Sequence, residues 1–370
     1  MAGYQRFATP RAYVCSINYN LATSWNNASG ATTVLGEVDV KDDGGSDVTF
    51  TSGSKENLFD MKPHNPVQIE DETQAFYIQY DTELGSNLLN TNNFIAILNH
   101  NFYSAGVVFK VEVSDEENFS SGVTQGIDGD GSGSGSGNNH TAVINAASYA
   151  GNDNHIDTAS NGWSLITFPS ITSVNNRYIR ISFTAHNGNT IDGNRDFDTD
   201  VYIGGLMFGK YIDWPHPMDV NLTTAYDYDG TTLQNSVGGS TYANSTYFGP
   251  PAWTLTNPWA NTTTSNQQNY GFSRRYGRQK HSLNFSHMAD TNVFNADQTA
   301  DAIGFFTGSD LHSQFYNKII GQHNSFMWTL DKDSTTPGDY GLYRLADSAF
   351  QAKQIGSRVW DVKLDLIESW

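Results

Sequence analysis

The residues with the clearest chemical spacing form an Asp-x-Asp-x-Ser-Gly run. Asp128, Asp130 and Ser132 supply oxygens at the first, third and fifth positions of a calcium loop, and Gly133 takes the sixth. The twelfth position is Asn139 in place of the bidentate Glu such loops use, and the segment beyond it is patterned as strand. A solvated loop is therefore the expected reading, and no metal or cofactor is expected. A basic cluster follows at Arg274, Arg275, Arg278 and Lys280, interleaved with Phe272 and Tyr276. The chain carries 20 basic against 39 acidic residues, net -19. Such a chain lacks the cations that release counterions from nucleic acid, so the cluster is expected to meet an acidic protein surface, including that of a second copy. A solvated basic strand face is the alternative. Trp253 and Trp259, with Tyr242, Tyr247 and Phe248, lie in a Pro/Asn/Thr-rich stretch. Aromatic loops of this kind form partner contacts, stack on sugars or pack locally.

Catalytic signatures are missing from the sequence. It holds no GxSxG elbow, HExxH helix, Walker loop or dinucleotide fingerprint. Asp196, Asp198 and Asp200 share a face if extended, but an acidic loop before a strand is the simpler reading than a glycosidase pair. His281 and His287, six apart on an expected strand, share a face there and read as surface or interface histidines. Cys15 lies in an apolar segment and reads as a small buried hydrophobe. No enzyme activity is expected.

These residues need a scaffold, and composition bounds it. The chain has 370 residues, of which 16% are charged and 13% aromatic. Aromatic content at that level marks a folded chain, while abundant Gly, Asn, Ser and Thr mark a turn-rich, mainly β one. The single cysteine excludes an internal disulfide. No apolar run is long enough to span a membrane, and the start of the sequence has no apolar signal core.

Strand patterns recur at 74–80, 93–98, 106–113, 163–168, 177–183 and 201–208, separated by Gly/Asn/Asp/Ser loops. They predict a β-sandwich over residues 70–210, preceded by an N-terminal β-rich arm or sandwich start at 1–69. The paired glycines Gly204 and Gly205 predict a bulge or close packing. The alternating Gly/Ser stretch within 126–139 predicts a long exposed loop. Two prolines in YIDWPHP predict a linker at 211–217. Residues 218–370 are expected to form a second β-rich domain with one helix at about 309–320. There Ser309 or Asp310 caps, Leu311, Phe315 and Ile319 recur every four residues, and Gly321 ends the helix. Strands follow at 325–330, 340–345 and 359–367, the last alternating strictly.

The segment IAILNHNFYSAGVVFKVEVSD, with His100 and Asn101, resembles the discoidin-like (galactose-binding-like) jelly roll of tailed-phage virion proteins. Asn99 stands where glycine is usual. The Trp-led strand 163–168, RYIRISF at 177–183 and YIGGLMFGK at 202–210 follow in the same order. The resemblance implies a jelly-roll sandwich in a virion structural protein of the tail or baseplate. Such a protein is made in the host cytoplasm and assembles with copies of itself and other virion proteins. The alternatives are a carbohydrate-binding, receptor-recognising module of a phage fibre, with a host surface glycan as partner, or a capsid decoration protein.

Overall fold

The computed structural model describes residues 8–23, 38–81, 93–120, 124–125, 141–148, 155–168, 177–188, 190–228, 231–244, 251–253, 255–259, 277–294 and 310–369. In chain order the main strands are β1 (Arg11–Cys15), β2 (Val38–Asp42), β3 (Ala75–Asp81), β4 (Asn93–His100) and β5 (Val107–Ser114). Next come β6 (Gly162–Phe168), β7 (Tyr178–Asn187), β8 (Val201–Asp213), β9 (Thr223–Asp227), β10 (Thr232–Asn235) and β11 (Thr241–Asn244). The series ends with β12 (Arg278–Ala289), β13 (Phe326–Thr329), β14 (Tyr340–Leu345) and β15 (Val359–Glu368). All pairings among them are antiparallel.

The expected β-sandwich is present. Its front layer contains β8, β4 and β6 and its back layer runs β5, β7, β3, β2. Phe94, Ile95, Ile97, Val111, Trp163, Ile166 and Ile181 are all buried in one core, as their strand patterns predict. β4 is buried at every position because its outer face is covered as well. The helical turn Lys55–Phe59 and the helix α1 (Ser16–Thr23) both pack on its neighbour β8. A strand covered on both faces reads as a continuous apolar run, which is what residues 93–98 show.

Two backbone positions explain otherwise odd residues. Asn99 sits at φ 50, a left-handed conformation that Asn tolerates best after Gly, and its side-chain amide donates to the Pro63 carbonyl at 2.6 Å. The left-handed turn and this bond account for Asn at position 99. Gly204 lies in β8 across from it, and a Cβ there would collide with the Pro63 carbonyl and with Asn99 Cβ. Of the paired glycines, Gly204 therefore serves close packing, while a Cβ at Gly205 would meet only ordinary contacts.

The front sheet does not stop at the sandwich. It contains 13 strands among the described residues and runs β9–β12–β15–β14–β13–β1–β8–β4–β6. β1 is the seam, pairing with β8 on one side and β13 on the other. Its side chains alternate between two cores: Tyr13 and Cys15 enter the sandwich core, while Ala12 and Val14 enter a second one. Successive strand residues point to opposite faces, so the two cores lie on opposite faces of one sheet. The second core gathers Trp214, Phe285, Phe315, Phe326 and Trp328; Trp214 meets Trp328 edge-on at 4.8 Å and Phe315 at 5.2 Å. The expected linker at 211–217 is thus corrected. Residues 211–213 finish β8 by pairing with β1, and Trp214 is buried, so the prolines follow the strand instead of interrupting the fold.

The expected helix is present from Leu311 to Ile319, with a widened π turn at His312–Tyr316. Leu311, Phe315 and Ile319 are buried. Asp310 Oδ1 accepts from the Ser313 amide at 2.8 Å, and Ile320 and Gly321 turn left-handed at its end. Ser309 lies outside the described residues.

Candidate functional site

The strand alternation that buries Phe76, Phe109 and Phe183 turns their neighbours outward on the back sheet. Register then sets these outward residues in two rows. One row reads Asp39, Gln79, Arg180, Glu112, and the next reads Lys41, Tyr77, Ser182, Lys110. Neighbouring strands lie roughly 4.8 Å apart, so each row presents four side chains over about 15 Å. These rows floor a groove of about 990 Å³. The turn at Asp43–Gly45 borders one side, and Glu116, Glu117, Asn118, Ser120 and His155 border the other.

Arg180 organises the wall. Its guanidinium lies 4.1 Å from the Tyr77 ring centroid and 4.0 Å from that of Phe119, so it is sandwiched between two aromatic faces. Arg180 Nε and Nη2 donate to Gln79 Oε1 at 3.0 and 2.7 Å. Gln79 Nε2 donates in turn to the Glu117 carbonyl at 3.1 Å. Phe119 reaches the stack from a left-handed backbone, φ 53, in a turn closed by its amide on the Glu116 carbonyl. Ser120 Oγ donates to Glu116 Oε2 at 2.8 Å and ties the turn's far end. Partial burial lowers the Arg180 pKa, yet a guanidinium stays charged at any physiological pH.

The groove carries mixed charge, with carboxylates at Asp39, Asp43, Glu112, Glu116 and Glu117 and cations at Lys41, Lys110 and Arg180. Lys110 pairs with Glu112 at 2.9 Å. His155 is 8% exposed, and burial, followed by the Lys110 charge, pushes its pKa down to about 4. It is therefore a neutral imidazole near pH 7, and its buried Nδ1 has no hydrogen-bond partner among the described residues. That nitrogen is closed to solvent, so His155 borders the groove through the rest of its ring. Strand patterning alone could not single out these residues, because it does not supply the cross-strand register that assembles them.

The residues singled out in the sequence lie elsewhere. Trp253 and Trp259 are 6% and 4% exposed and belong to the sandwich core, where Trp253 meets Trp163 edge-on at 5.2 Å. This corrects their reading as a contact surface: packing against the Trp-led strand has buried them. Lys280 is in an ion pair with Asp227 at 2.6 Å, and Arg278 stands opposite Asp227 in the same strand pair. The cations of β12 are thus engaged within the chain. Arg274, Arg275 and the run Asp128, Asp130, Ser132 lie outside the described residues, as does the rest of 126–139. Asp196, Asp198 and Asp200 hold local structure, accepting from Gln74 (3.3 Å), from Arg195 and from the Asp71 amide (3.2 Å) respectively. His281 and His287 do not share a face. A bulge between Phe285 and Met288 shifts the phase, so His281 is buried while His287, at φ 63, is exposed. Cys15 is buried, as expected.

His281 belongs instead to a buried polar chain. Its Nδ1 faces Thr224 Oγ1 at 3.0 Å and its Nε2 faces the Tyr343 hydroxyl at 3.2 Å. Tyr343 donates to Gln279 Oε1 at 2.6 Å, and the Gln279 amide donates to Glu368 Oε2 at 2.8 Å. Burial pushes the Glu368 carboxyl up to about 7.

No protein-family model matches the sequence, and no curated protein matches it. Two solved structures of the Clostridium perfringens module CpGH89CBM32-4 are similar to part of the chain at 13% identity. A selenomethionine-labelled form covers 44% of this chain and 93% of its own, with a TM-score of 0.22. A complex with GlcNAc-α-1,4-galactose covers 44% of this chain and 89% of its own, with a TM-score of 0.23.

Proposed function

We propose that the protein binds a carbohydrate, without catalysis, in the groove on the outer face of the back sheet. The observation that carries this reading is the composition of the floor. Seven of its eight side chains are polar, they stand on four paired strands, and one aromatic edge is fixed among them by Arg180. An apolar ligand would leave these groups without partners, whereas a polyhydroxylated one satisfies donors and acceptors alternately. Charged and amide side chains spaced along strands also hold two neighbouring hydroxyls of one sugar. Glu112 pairs with Lys110 and Glu116 accepts from Ser120, which holds these two carboxylates in place on the groove's margin.

The test is a glycan array followed by calorimetry on any bound sugar. Ser182→Trp fills the centre of the floor and should abolish binding, and His155→Ala should weaken it about tenfold. Absence of any bound glycan, or binding indifferent to Ser182→Trp, would overturn the reading.

A second reading is a tailed-phage virion structural protein of the tail or baseplate, working through protein contacts. It is favoured by the exposed apolar side chains concentrated at residues 220–242. Incorporation into a particle tests it, and a virion location also accommodates a glycan-binding groove.

A further inference from the structure

The strands β10 and β11 form a two-stranded sheet of their own. Their register is Leu233 opposite Ala243 and Gln234 opposite Tyr242, with a turn closed by the Ser236 amide on the Ser240 carbonyl at 2.8 Å. Every described side chain on this arm is exposed except half-buried Ser236, and Val237 at the tip is fully so. Nine large hydrophobic residues are exposed among the described residues. Six of them, Val220, Tyr226, Tyr228, Leu233, Val237 and Tyr242, fall within 220–242. An isolated two-stranded hairpin is marginal in water, and exposed apolar side chains gathered in one place mark a contact surface.

The neighbouring strand β9 is the edge of the long sheet. It pairs with β12 on one side, and no described strand pairs with its other side. An open edge presents unpaired amides and carbonyls, a template for another strand.

Charge identifies the occupant. The protein has net charge -19, yet residues 231–244 contain no charged side chain, and neither do residues 223–226 of the edge. Asp227, at the end of β9, is neutralised by Lys280. Two copies of so acidic a chain repel wherever their carboxylates face; residues 223–226 and 231–244 themselves offer none, and Asp229 lies in the link between them. A basic partner would instead be drawn to the acidic surface elsewhere. We propose that the arm at 231–244 docks on a second copy of this chain by adding a strand to the open edge of that copy's β9. Each copy holds one arm and one edge, so a reciprocal exchange closes as a two-fold dimer and a one-way exchange gives a chain of subunits.

This deepens the assembly reading by naming its partner, and it does not depend on the groove. Sedimentation velocity of the full chain over a wide concentration range tests it, with amide exchange followed at residues 223–227. The wild type should associate with rising concentration and gain protection at those amides. Leu233→Asp combined with Tyr242→Asp should weaken association about a hundredfold while keeping the thermal transition. Ser182→Trp, in the groove, should associate as the wild type does. A wild type that stays monomeric at every concentration would overturn the proposal. Association unchanged by the double substitution, or association without protection at 223–227, would overturn it equally. Recovery of the chain in a phage particle while it stays monomeric in solution would keep the assembly reading and sink this one.

Discussion

The groove and the arm are both built from strands, but they are opposites in support and in chemistry. The groove's polar side chains stand on four paired strands whose other face is a packed aromatic layer, with Phe76 stacked on Phe183 at 4.6 Å. The arm's apolar side chains stand on two strands that pair with no other strand among the described residues, and they are exposed. Polar groups held rigidly are organised before a ligand arrives, so little ordering entropy is lost on binding. An unsupported apolar ribbon gains its order from whatever covers it. The contrast suits a small polar ligand at one place and a protein surface at the other.

The widest separation between the two regions should appear in stability. Phe183→Ala, beneath the groove floor, should cost about 3–5 kcal/mol in denaturant unfolding of the monomer. Leu233→Ala on the arm should change it by less than about 0.5 kcal/mol. Comparable losses at the two positions would mean that the arm is packed against its own chain.

The next largest effect concerns the buried chain behind the edge strand. Glu368 has its carboxyl raised from 4.5 to about 7 by burial. Between those values the unfolded carboxyl loses its proton while the folded one keeps it, so this group makes stability fall as pH rises through the window. Glu368→Gln should therefore match the wild type near pH 4.5 and exceed it by roughly 2–3 kcal/mol at pH 8. The histidines act in the opposite sense: His281, lowered to about 4, resists the proton that its unfolded form accepts. The difference between variant and wild type isolates the carboxyl. A difference independent of pH would show that Glu368 is ionised in the folded state.

A smaller effect is expected at the groove wall. Arg180→Ala removes the sandwiched cation and two hydrogen bonds to Gln79, at a cost of about 1–2 kcal/mol. It should also release the turn at 115–120, read as faster amide exchange there. Unchanged exchange would show that the turn's own bonds suffice. The smallest effect is in pH dependence. His155, titrating near 4, should leave carbohydrate binding flat from pH 5.5 to 8 and weaken it only near its own pKa.

Much of this architecture was legible in the sequence, for a physical reason. β7 and β15 alternate buried and outward residues because one face meets a core, and β4 runs apolar because both faces do. Leu311, Phe315 and Ile319 disclosed their helix by recurring every four residues. Other features depend on contacts remote in the chain. The prolines after β8 read as a linker because its pairing with residues 11–15 cannot be seen locally. Trp253 and Trp259 read as surface because their stretch has no strand period, while Trp253 is packed against Trp163 and Trp259 against Trp253. The bulge that separates His281 from His287 inverts a parity that sequence spacing assumes. The groove was the least legible, since its rows follow register across four strands. The arm was nearly silent, since Thr, Asn, Ser and Gly with isolated Leu, Val and Tyr have no periodic signature.

The seam strand also orders events in time. β1 is made early, yet its partners are residues 209–213 and 327–329. At a synthesis rate of about 5–20 residues per second, it waits on the order of ten seconds or more for its first neighbour and longer for its second. Contacts of such sequence separation are slow to form. Through that interval the nascent chain carries an apolar strand with both edges open, and the two cores cannot close on opposite faces of the sheet until it is inserted. A chaperone that shields residues 11–15 during translation would therefore raise the yield of folded protein more than one acting on the finished chain.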